Sequence, residues 1–207
     1  MSLQIKNLNF AYPDKKILRN ISINFIDGKI YGLIGAPNSG KSTLLKIMSG
    51  FLVPQKGDVL LNKKSIFKNY TQRKKIGFCP QEIRIFVLKN LEERIIKEGL
   101  SKKEARRIKK EFLNRFEIEK IRKKILKIKN CSKRKEIVLR EILNKKYEVL
   151  ILDEPENGLS NAKIKKIINA IKKNKSKIKI ISSYHSLILN LCDKIFLLKD
   201  GKIFPII

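Results

Sequence analysis

The chain carries Gly35-Ala36-Pro37-Asn38-Ser39-Gly40-Lys41-Ser42-Thr43, with G-x-x-x-x-G-K-S spacing from Gly35 to Ser42. Residues 30–34, Ile-Tyr-Gly-Leu-Ile, predict a buried strand before it. Residues 42–49 predict a helix after it, with Leu44, Leu45, Ile47 and Met48 available for burial. Strand, glycine-rich loop and helix together make the context of a phosphate-binding loop. Backbone N–H groups and the positive helix end wrap a polyphosphate. Lys41 is expected to reach the β and γ phosphates, and the Ser42 hydroxyl to ligate Mg²⁺. A plain strand-to-helix turn holding two glycines is the bland alternative, and both flanks argue against it. The predicted ligand is a nucleoside triphosphate.

A second constellation is Val149-Leu150-Ile151-Leu152-Asp153-Glu154-Pro155. Four apolar residues ending in Asp suit a parallel strand buried on both faces, with its acid at the carboxyl end. Ligands of open α/β sheets sit at that edge. Asp153 is expected to hold the metal, through water, and Glu154 to align or deprotonate an attacking water. The sole histidine, His185, follows the predicted strand 177–182. A lone histidine is more often structural, so its role rests on what surrounds it.

The elements that must position these residues alternate between strand and helix. Strands are predicted at 3–10, 21–26, 29–34, 58–61, 75–78, 148–152, 177–182, 194–199 and 202–206, the last two joined by a turn at Asp200-Gly201. Helices are predicted near 86–98, 101–116, 132–146 and 161–173. Ala105, Ile108, Phe112 and Phe116 recur at helical spacing, and Ser101 with Glu104 forms a capping box. No internal repeat interrupts this order.

Composition bounds the rest. A chain of 207 residues, 43% hydrophobic, suits one domain with a real core. No apolar run approaches the ~18 residues of a membrane span, and the amino terminus lacks a signal-peptide pattern. A cytoplasmic location is the expectation. Cys79, Cys131 and Cys192 lie far apart without metal-ligand spacing and are expected to be reduced thiols.

The net charge of +29, from 48 Lys and Arg against 19 Asp and Glu, invites a nucleic-acid or anionic-lipid reading. Residues 101–147 hold 19 basic and 6 acidic residues, and residues 163–179 hold 8 Lys and no acid. In the latter segment Ile164, Ile167, Ile168 and Ile171 keep helical spacing, so the Lys residues occupy a solvated face. No aromatic residues interleave them as a single-strand-binding surface requires, which argues against a nucleic-acid partner.

Taken together these residues resemble the ATP-binding cassette (ABC) ATPases, the nucleotide-binding subunits of ABC transporters. The resemblance runs over nearly the whole chain. Phe10-Ala11-Tyr12 and Ile17 to Ser22 resemble the opening strands, with Tyr12 where an aromatic ring stacks on adenine. Gly35 to Thr43 match the phosphate loop, and Gln81 matches the glutamine loop that senses γ-phosphate and Mg²⁺ and touches the membrane partner. Asp153-Glu154-Pro155, then Gly158-Leu159, match the catalytic strand and the loop after it. His185 resembles the switch histidine, although Tyr184 intervenes after the serines and the spacing to Cys192-Asp193 is short.

The resemblance implies a P-loop NTPase core of α/β class with a mixed sheet, an antiparallel β subdomain and an inserted α-helical subdomain. It divides residues 1–207 into a nucleotide-binding core, 1–79 and 148–207, and a helical subdomain, 80–147, that carries the family signature. It implies ATP and Mg²⁺ as ligands, an integral membrane subunit as partner, a second ATPase subunit, and a peripheral place on the cytoplasmic membrane face.

One departure is serious. The signature is a Ser-Gly-Gly-Gln-like segment whose glycines let N–H groups approach the γ-phosphate of the opposite subunit. Here residues 128–135 contain no glycine. Counting back from Arg140 to Leu143 places Asn130, Cys131, Ser132 and Lys133 over the signature, whereas aligning on serine selects Ser132 to Lys135. Ser160 also stands where the family usually has Asp. A heterodimer would confine this defect to one of two composite sites, and a short ATPase fits an exporter better than an importer. A non-transport ATPase acting on nucleic acid or in assembly, and a regulatory subunit that binds ATP without cleaving it, remain the alternatives.

Overall fold

Apolar alternation builds the first sheet. Strand β1 (Ser2–Tyr12) buries Leu3 and Ile5, then Leu8 and Phe10. Its pairing with β2 (Lys15–Ile26) shifts register between Ile5 and Leu8, where the apolar period slips by one. Asn7 takes the left-handed conformation there, at φ 47°, which Asn tolerates better than most side chains. Strands β4 (Lys56–Leu61) and β5 (Lys64–Ser65) complete an antiparallel sheet of order β2-β1-β4-β5.

The second sheet includes two strands, Ile76–Cys79 and Val149–Asp153, that are buried throughout. It contains β3 (Ile30–Ile34), β6 (Ile76–Cys79), β7 (Val149–Asp153), β8 (Ile178–Ser182), β9 (Lys194–Lys199) and β10 (Lys202–Pro205), in the order β10-β9-β3-β8-β7-β6. Its ladders are parallel apart from the terminal β9–β10 hairpin. All five residues of β7 are buried, as the continuous apolar run requires of a central parallel strand. An aromatic contact ties the two sheets together: Phe25 of β2 meets Tyr31 of β3 edge-on at 4.9 Å. The Arg19 N–H also donates to the Gly201 carbonyl at 2.8 Å.

Helices α1 (Lys41–Met48), α2 (Tyr70–Arg73), α3 (Cys131–Leu143), α4 (Asn161–Lys173) and α5 (Ser186–Leu189) cover the strands. The four isoleucines at 164, 167, 168 and 171 are the buried face of α4, and its lysines stand on the other side. This computed structural model describes residues 1–81, 96, 101–103, 105–107, 110 and 127–206. Most of the helices expected at 86–98 and 101–116 lie outside the described residues. Among those described, no helix is long and apolar enough to cross a membrane.

Expected and observed elements agree in kind, and their ends differ by a few residues. The strand expected at 21–26 begins already at Lys15, and the helix expected at 132–146 ends at Leu143. Three short elements, β5, α2 and α5, have no counterpart in the sequence reading. The antiparallel sheet and the mixed sheet agree with the expected core.

Candidate nucleotide site

Parallel strands bring their carboxyl ends to one edge, and register decides which residues meet there. Asp153 at the end of β7 lies opposite Ser182 at the end of β8, and Leu152 lies opposite Cys79 at the end of β6. Gln81, Glu154 and Tyr184 follow these strands by one or two residues. The loop after β3 enters the same edge, because β3 pairs with β8.

That loop, residues 35–40, is shaped by its glycines. Gly35 sits at φ 155°, and a Cβ there would lie 2.4 Å from the Leu198 carbonyl oxygen and 2.8 Å from Ser39 Oγ. Gly40, at φ 103°, is the N-cap of α1. Neither position accepts a side chain without strain. The Lys41 side chain folds back over the loop. Its Nζ donates to the carbonyls of Gly35 at 2.7 Å and Ala36 at 3.2 Å, and to the hydroxyl oxygen of Tyr184. Ser39 Oγ is buried without a hydrogen-bond partner among the described residues. A cationic amine over a glycine-bounded loop with an unsatisfied hydroxyl fits a phosphate group.

A cleft of about 560 Å³ opens on this edge. It is lined by Tyr12, Pro37, Asn38, Gly40, Lys41, Ser42 and Thr43, together with Gln81, Glu154 and Tyr184. Six of the nine expected nucleotide-binding loop residues line it. Ala36 and Ser39 face a neighbouring cavity, as do Pro37 and Asn38 in part. Tyr12 stands at the rim, edge-on to Phe10 at 5.0 Å.

Glu154 is held in an unusual backbone conformation, φ 42°, which costs a residue with a Cβ about 1–3 kcal/mol. The surrounding groups define it. Its N–H is shared between the Ser182 carbonyl and hydroxyl, each at 3.0 Å. Its carbonyl accepts from Lys135 Nζ at 2.6 Å, and its carboxylate accepts from Gln81 Nε2 at 2.6 Å. Asp153 is only 2% exposed and accepts the Ser182 hydroxyl proton at 2.6 Å. Among the described residues no three of His, Cys, Asp or Glu cluster to hold a metal. A hard divalent ion here would therefore take oxygen from Ser42, Asp153, Gln81, phosphate and water.

Burial raises the Glu154 carboxyl above its ordinary value of 4.5, and Asp153 beside it pushes the same way, with Lys41 opposing. A base with a raised pKa is protonated at higher pH than an ordinary carboxylate. Turnover is therefore expected to fall on acidification through a midpoint above 4.5. A pH–rate profile whose acid limb lies at or below that value would contradict the assignment.

Sequence reasoning missed two residues of the site. Lys135 is buried beneath the loop 154–157, donating to the carbonyls of Glu154 and Asn157, and burial lowers its pKa. Tyr184, not His185, lines the cleft. The His185 imidazole is half-buried, with Nδ1 enclosed and unpartnered among the described residues. The signal available for both was position: a lysine at helical spacing from Val138 and Leu139, and the first large side chain after the Ser182-Ser183 strand end.

Asn130 is the N-cap of α3, and its side-chain oxygen accepts the Lys133 N–H at 3.0 Å. Cys131, Ser132 and Lys133 form the first turn. Ser160 is the exposed N-cap of α4. Cys79, buried at the end of β6, has its thiol pushed up to about 12 by burial, which keeps it protonated.

A family model described as ABC transporter matches residues 18–157. A putative ABC transporter ATP-binding protein of Onion yellows phytoplasma is 29% identical over 213 residues, covering 97% of this chain and 36% of that protein. An uncharacterized ABC transporter ATP-binding protein of Methanocaldococcus jannaschii is 29% identical over 216 residues, covering 99% and 85%. The chain thus spans about a third of one relative and most of another. A solved dimeric ATP-binding cassette, in a post-hydrolysis state with ADP and Pi, shares the fold at TM-score 0.68 and 21% identity, covering 97% of this chain and 96% of that one.

Proposed function

Because the chain belongs to the ABC transporter family, we propose that it is the ATP-binding subunit of a transporter, coupling ATP binding and hydrolysis to movement of a separate membrane subunit. The observation that carries this is the convergence of Lys41, Gln81 and Glu154 on one cleft at the carboxyl edge of the parallel sheet.

The chemistry follows from what each group can do. Gly35 to Thr43 hold the triphosphate, with Lys41 exchanging loop carbonyls for phosphate oxygens. Mg²⁺, when bound, neutralises charge between the β and γ phosphates. Ser42, Asp153 and Gln81 would hold it. Glu154 takes the proton of the attacking water, and Gln81, already on its carboxylate, fixes its direction. Tyr12 offers an aromatic face for the base.

Two such chains, or this chain and a different ATPase, would form the composite site. The dimeric cassette of the same fold supports a pair. The cap at Asn130 favours the register in which Asn130, Cys131, Ser132 and Lys133 stand at the signature positions. In the other register Lys135 would have to face a partner, whereas it is buried against the Glu154 loop. Asn130 also occupies an N–H that a phosphate would otherwise receive. The missing glycines favour a heterodimer, in which Lys41, Asp153 and Glu154 work against a partner's intact signature. Cytoplasmic placement on a membrane partner, and export rather than import, are parts of the same proposal.

Slow hydrolysis by the isolated chain is the expected result. Replacing residues 130–133 with Ser-Gly-Gly-Gln should raise its turnover roughly tenfold, the worth of one charge-assisted hydrogen bond regained. Phosphate release measured across a range of protein concentrations checks this. Vigorous, cooperative turnover by the unaltered chain alone would refute the need for a partner.

A further inference from the structure

Tyr184 makes contacts that no other residue of its loop makes. Its hydroxyl accepts a hydrogen bond from Lys41 Nζ and donates one to the Gly35 carbonyl at 2.5 Å. The Lys41 amine lies 4.5 Å from the ring centroid, a cation–π distance. The loop that delivers it is well anchored. Ser183 Oγ donates to Glu156 Oε1 at 2.5 Å, the Tyr184 N–H donates to the same oxygen at 3.2 Å, and the His185 N–H donates to Ser183 Oγ at 3.0 Å. Tyr184 is nonetheless 51% exposed, so its ring is placed by these anchors and by Lys41 rather than by enclosure. His185 has turned away to become the N-cap of α5.

We propose that Tyr184 is the γ-phosphate switch of this chain, resting on Lys41 and the loop carbonyl when the site holds no triphosphate and donating its hydroxyl proton to a γ-phosphate oxygen when it does. The inference rests on the nucleotide-site reading above and deepens it. A phenol has one proton to donate. It cannot serve the Gly35 carbonyl and a phosphate together, so the two poses exclude each other. Lys41 makes the same exchange, leaving carbonyl and phenol oxygens for phosphate. One event, entry of the triphosphate, therefore releases both side chains, and loss of the γ-phosphate lets Tyr184 return while Lys41 stays on the β-phosphate. His185 has no part in this exchange, because its imidazole is not on the cleft.

The test is the ratio of ATP to ADP affinity, measured by calorimetry on the whole chain. Removing the hydroxyl frees Lys41 for either nucleotide, so that effect cancels in the ratio, whereas the γ-phosphate contact exists for ATP alone. Tyr184→Phe should lower the preference for ATP by about ten- to hundredfold, as loss of a hydrogen bond to a charged group predicts. Tyr184→His should restore much of it, and His185→Ala should leave it unchanged. A Tyr184 with a merely structural role would shift both affinities together. A wild-type preference for ATP that Tyr184→Phe keeps, or that His185→Ala abolishes, overturns this proposal alone. A wild-type chain that binds neither nucleotide overturns the nucleotide reading itself, and this proposal with it.

Discussion

Replacing Glu154 with Gln will stop ATP turnover in the assembled complex while leaving ATP on the protein. The amide keeps the size of the carboxylate and can still pair with Gln81, so the loop geometry survives. What disappears is the capacity to take a proton from water. General-base loss of this kind costs about 10²–10⁴-fold in rate. The left-handed conformation of residue 154 is fixed by the Ser182 and Lys135 contacts to its own backbone, which the substitution does not touch. Phosphate release should therefore collapse while retained nucleotide, measured by filtration, rises. An unchanged rate in the complex would make this chain a silent ATP-binding subunit.

Lys41→Ala is expected to act one step earlier, on binding. The Lys41 side chain is 5% exposed and reaches three acceptors at once. All three are groups a phosphate would replace. Deleting it removes the cation from a site whose ligand carries several negative charges. Charge-assisted hydrogen bonds are worth about 1.5–3 kcal/mol each, so ATP affinity should fall by roughly ten- to hundredfold or more. Calorimetric titration checks it, with circular dichroism confirming the fold. Undiminished ATP affinity would place the phosphates elsewhere.

Much of this site could be read in the sequence because its determinants are local. Glycines at 35 and 40 mark positions where the backbone must turn, and a wholly buried strand such as β7 needs an unbroken apolar run. The helix α4 shows its buried face through Ile164, Ile167, Ile168 and Ile171. The short elements were hidden because tertiary context makes them. For α2 there was a signal: Asn69 is a capping residue, and its side chain accepts from the N–H groups of Thr71 and Gln72. That Tyr184 rather than His185 lines the cleft was hidden for another reason. The end of β8 at Ser182 was legible, but which of two adjacent side chains after it enters a cleft depends on the turn of the following loop, here anchored by Glu156. Lys135 enters the sequence reading only through the alternative signature register, Ser132 to Lys135. Only the packing of α3 against β6 and α4 reveals that its amine is buried under the loop at Glu154.

The place of β3 in the sheet has a consequence for how the protein comes into being. Residues 30–34 precede the phosphate loop, yet their hydrogen-bonded neighbours are β8 and β9, at 178–182 and 194–199. The Ile30 N–H even donates to the Asp193 carboxylate at 2.7 Å, across 163 residues of chain. A growing polypeptide that has synthesised the loop cannot seat it, because both flanking strands are still to be made. Closing so large a span is slow, and the loop stays unformed until residues 178–199 have been made and paired. ATP can then bind only once these distant strands have paired, so nucleotide capture reports that the parallel sheet has closed.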